Sequence, residues 1–179
     1  MIIGITGTVG SGKTTCAKIF QKLGAHVIDA DAIGHELLTH KPIIDAIRAE
    51  FGIHILSGKK IDRKKLSESA FASAENLAAL NNIMHPRLNS EINRRIRYDK
   101  PVVIDAALFN ELNLARLCDV IILVQTEKAQ VLKRSKAKEK TEKILSLQKP
   151  IAHADYIIDN NGTVKDLEKQ ARDLWRKIT

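Results

Sequence analysis

The residues best suited to chemistry come early in this chain: Gly7-Thr8-Val9-Gly10-Ser11-Gly12-Lys13-Thr14 matches GxxxxGK[ST] without a mismatch. The glycines let the backbone curl so that successive N–H groups face inward. The N-terminus of a following helix adds positive potential, and together they cradle phosphate oxygens. Lys13 then reaches the β and γ phosphates, and the Thr14 hydroxyl coordinates magnesium. Gly10, Ser11, Gly12, Lys13, Thr14 and Thr15 are the expected nucleotide contacts. A tight strand-to-helix connection alone would not call for Lys13 and Thr14. The motif announces a nucleotide triphosphate and leaves a phosphotransferase, a GTPase switch and a nucleic-acid motor all open.

Carboxylates form the second set. Asp29 and Asp31 stand in His26-Val27-Ile28-Asp29-Ala30-Asp31, just past an apolar run. Ligands of open α/β sheets bind beyond the carboxyl ends of the strands, which directs both toward the phosphate loop. A carboxylate there either accepts the proton of an attacking hydroxyl or caps the helix whose pattern starts near Ala32. Asp105 closes another apolar run and resembles an acid that acts on magnesium through a water.

These groups need a scaffold, and five apolar runs supply it: residues 2–6, Val27-Ile28, Val102-Val103-Ile104, Val120-Ile121-Ile122-Leu123-Val124 and Tyr156-Ile157-Ile158. Continuous apolar character means burial on both faces, and the intervening segments are mostly helical. The fold class is therefore α/β, with a five-stranded parallel sheet and helices on both faces. Residues 31–98 are the exception, with helical patterns over 42–51, 62–72, 74–84 and 86–98 and no convincing strand. That is far more chain than a crossover requires, and it reads as an inserted helical substrate subdomain. The nucleotide-binding core is then 1–30 with 99–179. A final helix over 164–178 opens with a capping box, Thr163 and Asp166, and Trp175 on it reads as a packing residue.

Composition narrows the class. The chain has 179 residues, 44% hydrophobic and 28% charged, with a formal net charge of +8. The positive balance calls for an anionic partner. With 4% aromatic residues and no interleaving of aromatic with basic positions, nucleic acid is not the expected one. Cys16 and Cys118 form neither a CxxC pair nor a Cys/His cluster and read as buried free thiols. No apolar stretch approaches the roughly 20 residues that span a bilayer, and no signal-peptide pattern opens the chain, so no membrane partner and a cytoplasmic location are expected.

The loop "GITGTVGSGKTT", then "VIDADAIGHELL", "HP" at His85-Pro86 and "ADYIIDNNG" at 154–162 together resemble the dephospho-coenzyme A kinase family, from about Met1 to Trp175. The resemblance implies a P-loop kinase fold that uses ATP and magnesium. It implies transfer of the γ-phosphoryl group to the ribose 3′-hydroxyl of dephospho-coenzyme A, giving coenzyme A and ADP, the final step of coenzyme A synthesis. Asp31 matches the family's proposed base. The insertion matches its coenzyme A domain, with Arg63 of "IDRKKL" and His85 as substrate contacts. Pro86 is expected at the first position of a helix. Residues 131–148 resemble a lid, about 134–148, with Arg134 and Gln148 in matching places. Arg134 is the candidate charge stabiliser because a guanidinium suits a phosphoryl group, although a lysine-rich run is also what a solvated helix face looks like. Asn160 and Asn161 match a turn that lies against the adenine of ATP.

This chain departs from the family pattern in three places. After the third strand it reads Asp105-Ala106-Ala107-Leu108-Phe109-Asn110-Glu111, where relatives commonly carry Pro-Leu-Leu-Phe-Glu. Its lid is shorter and richer in lysine. The link from Gln148 to Asp155 is abbreviated and lacks a basic residue often found there. The rival readings are a kinase of the same architecture acting on another metabolite and a nucleic-acid-dependent ATPase.

Overall fold

The computed structural model describes residues 1–147 and 153–179. Gln148, expected at the end of the lid, lies outside them. The chain divides into two compact units, Met1–Asp29 with Ile96–Thr179, and Ala30–Arg95. Along the sequence the first unit contributes β1 (Ile2–Thr6), α1 (Lys13–Lys22) and β2 (His26–Asp29). The second contributes α2 (Ala30–Leu37), α3 (Lys41–Phe51), β3 (Leu56–Ser57), β4 (Lys60–Ile61), α4 (Arg63–Ala70) and α5 (Ala74–Arg95). The first then resumes with β5 (Val102–Asp105), β6 (Val120–Gln125), α6 (Lys128–Arg134), α7 (Lys138–Leu147), β7 (Tyr156–Asp159) and α8 (Val164–Ile178).

In the first unit five parallel strands run in the order β2-β5-β1-β6-β7. The chain leaves β1 toward one edge and β6 toward the other, so the two right-handed crossovers run over opposite faces of the sheet. Ile3, Ile5, Val103 and Ile122 are fully buried, which is why the central strands read as unbroken apolar runs. The edge strands depart: Val27 of β2 is half-buried and Ile157 of β7 is 62% exposed. Helix α8 packs on α1, burying Leu167 and Ala171, and Trp175 lies against Phe20 with ring centroids 5.3 Å apart. The expected capping box is present: Asp166 N–H donates to Thr163 Oγ1, and Thr163 N–H to Asp166 Oδ2. The Thr163 hydroxyl, which donates to Asp166 Oδ2 at 2.7 Å, and then the Thr163 N–H hold the Asp166 carboxyl below the usual carboxylate range.

The second unit has its own core of Ile43, Ile47, Ile55 and Leu66, with Leu80, Ile83 and Met84 packed against it. Three expectations are corrected here. Residues 31–98 do contain strands, the antiparallel pair β3 and β4, which at two residues each are too short to show an alternating pattern. Positions 74–84 and 86–98 are not two helices but one, α5, and Pro86 lies inside it rather than at its start. Ile83 and Met84 before the proline and Leu88 and Ile92 after it all pack inward, and that burial outweighs the roughly 3 kcal/mol a helical proline costs. Finally, α2 begins at Ala30, so Asp31 sits inside its first turn instead of preceding it as a cap.

Cys16 is buried as expected, whereas Cys118 is only partly so and donates its S–H to Leu114 O. Burial pushes the Cys16 thiol from 9.0 up to about 12, with the Asp105 charge adding to the effect. Burial, then Asp119, pushes Cys118 up to about 12 as well. Both thiols are therefore neutral near pH 8, and the folded protein should react slowly with a thiol-specific disulfide reagent, releasing two equivalents only on denaturation. Unfolded thiols ionise first, so stability should fall as pH rises from 9.0 toward about 12. Rapid labelling of Cys16 in the native protein would contradict this.

Candidate active site

The phosphate loop spans the gap between β1 and α1 in the first unit. Its turn is closed by Ser11 N–H donating to Thr8 O, and Lys13 Nζ curls back to donate to Gly7 O and Thr8 O, both at 2.9 Å. Lys13 is 9% exposed, so its ammonium is held at the loop by short bonds rather than free in solvent. Thr14 and Thr15 are exposed on the first turn of α1. Ser11 is fully buried, and its Oγ has no hydrogen-bond partner among the described residues. Gly12 has φ 98°, and a Cβ there would collide with the Asn160 amide; no other residue fits that position. Gly4 is glycine for a different reason: a Cβ at this strand position would come 2.5 Å from the Phe109 ring.

The turn after β7 forms the opposite wall. Asn161 N–H donates to its neighbour's carboxylate, Asp159 Oδ1, at 2.7 Å, and Asn161 Oδ1 accepts from Glu127 N–H at 2.8 Å. Helix α6 is strapped to the same turn. Gln130 donates to Asn161 O, and the Arg134 guanidinium donates to Asn160 O at 2.8 Å and Gly162 O at 2.7 Å. A cleft of about 430 Å³ opens between these walls, lined by Gly10, Gly12, Thr15, Arg134, Asn160 and Gly162 among others. Glycine backbone at a helix N-terminus on one side and a guanidinium on the other suit an anionic ligand. Asp105 ends β5 and is 6% exposed.

Five of the residues named from sequence, Gly10, Gly12, Thr15, Arg134 and Asn160, thus line one cleft. Asn161 does not; its side chain is spent on Asp159 and Glu127. Arg134 meets the turn's carbonyl oxygens, which the lysine-rich sequence around it does not disclose. Gln130 and Thr126 escaped sequence reasoning. The one available signal is that Thr126 is the first residue beyond an apolar strand, on the side where ligands bind.

Within the second unit, Asp31 and His35 lie one turn apart on α2, so they share a face. Arg63, the first residue of α4, donates from Nη2 to His35 Nε2 at 3.0 Å. Its position is set by Asp62, which caps α4 by accepting from Lys64 N–H and Lys65 N–H. Arg63, an expected substrate contact, is thereby held to a histidine that the sequence did not single out and that lies one helical turn from Asp31. His85 lies in the middle of α5, against which α2 packs.

A parallel sheet of this strand order, with a GxxxxGK[ST] loop between its central strand and the first helix, defines a P-loop nucleotide-binding kinase fold. The family model described as dephospho-CoA kinase matches residues 1–166, and the chain belongs to that family. It is 33% identical over 190 residues to a dephospho-CoA kinase of Aquifex aeolicus, covering 99% of this chain and 97% of that one. Among solved structures, a protein from Thermus thermophilus superposes with a TM-score of 0.84 at 27% identity, covering 100% of this chain and 98% of that one. A dephospho-CoA kinase from Campylobacter jejuni gives 0.74 at 25% identity, covering 99% and 96%.

Proposed function

We propose that this chain transfers the γ-phosphoryl group of ATP to the ribose 3′-hydroxyl of dephospho-coenzyme A, releasing coenzyme A and ADP. The observation that carries this reading is family membership over residues 1–166 in a chain whose phosphate loop is intact. Phosphoryl transfer asks a protein mainly to position groups and neutralise charge. In this reading the loop N–H groups and Lys13 hold the β and γ phosphates, and Asp31 accepts the proton of the attacking hydroxyl. Arg63 and His85 contact the acceptor. Arg134 keeps the wall of the nucleotide cleft in place through Asn160 and Gly162; touching the phosphoryl group directly would require it to release those carbonyls.

Magnesium fits the donors available. The exposed Thr14 hydroxyl and the Asp105 carboxylate are hard oxygen ligands of the kind the ion accepts while keeping several waters, and the bound ion would offset phosphate charge. No helix among the described residues is long and apolar enough to cross a membrane, and the reading places the enzyme in the cytoplasm.

The test is acceptor selectivity. With Mg-ATP, dephospho-coenzyme A should be phosphorylated far faster than adenosine or shikimate, and EDTA should stop the reaction. Preferential turnover of another hydroxyl acceptor, or ATP hydrolysis stimulated by DNA or RNA, would overturn the assignment.

A further inference from the structure

Strands β6 and β7 end level with each other: Asn160 N–H donates to Gln125 O at 2.8 Å, so the residues just past the two strands, Thr126 and Asn160, stand side by side. Both are buried, at 9% and 7% exposure. Thr126 Oγ1 donates to Ser11 O at 2.9 Å, and Asn160 Nδ2 donates to the same oxygen at 2.7 Å. A carbonyl has two lone pairs, and here both are taken by side chains from strands distant in sequence. In a trans peptide the C=O and the following N–H point in opposite directions. Pinning Ser11 O beneath the loop therefore aims Gly12 N–H the other way, out of the face that receives phosphate.

We propose that Thr126 and Asn160 are positioning residues that hold the phosphate loop in its binding conformation by clamping the Ser11 carbonyl from below. The same arrangement accounts for Gly12, since any side chain there would strike the Asn160 amide and lift the loop off its support. It also gives Asn160, in the turn expected against adenine, a second role: its amide donates to the Ser11 carbonyl beneath the loop, and through that bond it acts on the phosphates of ATP. This inference rests on the reading that the loop binds ATP phosphates.

The experiment compares ATP affinity, measured by calorimetry, with the inhibition constant of adenosine in the wild-type chain and in Thr126→Val, Thr126→Ser and Asn160→Ala. Losing one donor should weaken ATP by roughly five-fold in Thr126→Val and at least as much in Asn160→Ala, while Thr126→Ser stays within about two-fold of wild type. Adenosine, which carries no phosphate, should bind all four proteins alike. Unchanged ATP affinity in Thr126→Val overturns the proposal, as does a parallel loss of ATP and adenosine binding, which would mark an adenine contact or general damage to the fold. Lys13→Ala separates the two levels: if it binds ATP as wild type does, the phosphate-loop reading itself has failed.

Discussion

Replacing Lys13 with alanine should lower kcat/KM for ATP by about 10²–10³-fold, the usual loss when a single preorganised donor to developing charge is removed. Lys13 is held within the loop by two carbonyls, so its ammonium is already placed before substrate arrives and costs little to reorganise. The same bonds mean that the substitution also loosens the loop, so thermal stability should be measured alongside the kinetics. A Lys13→Ala protein that keeps its melting temperature and loses turnover supports the charge role. One that turns over ATP near the wild-type rate would remove the loop from the mechanism.

For Asp31→Asn the expected pattern is different. An amide keeps the shape of the side chain and cannot accept a proton, so kcat should fall by roughly 10²–10⁴-fold, the range general bases contribute. The KM for ATP should hardly change, because the proposed nucleotide contacts lie on the loop and the β7–α8 turn, outside α2. Asp31 is exposed in the first turn of α2, where it is not the residue that begins the helix, so the substitution removes no N-cap and should leave the fold intact. Turnover near wild type would take Asp31 out of the base role and direct attention to Asp29.

Much of this arrangement is legible in the chain, and the reasons are local. The phosphate loop is legible because its glycines, lysine and threonine are contiguous. The sheet is legible because residues such as Val102, Val103 and Ile104 are buried on both faces, and α8 because Thr163 and Asp166 mark its start. What escapes reading is whatever long-range packing decides. Pro86 looks like a helix boundary until Ile83, Met84, Leu88 and Ile92 are seen to pack as one stripe. Thr126 looks like an ordinary residue after a strand until β6 and β7 bring it and Asn160 under Ser11, which is far away in sequence. Arg134 looks like one cation in a basic run, and only the fold turns it toward the carbonyls of Asn160 and Gly162.

The central claim is that phosphate moves from ATP to one particular hydroxyl, and phosphorus NMR of the purified chain with Mg-ATP and dephospho-coenzyme A follows that transfer directly. The account predicts that the ATP resonances decline as ADP and a single new phosphomonoester grow in equal amounts, the latter coinciding with the 3′-phosphate of authentic coenzyme A. ADP accompanied by inorganic phosphate alone, or a phosphomonoester at any other position, would contradict it.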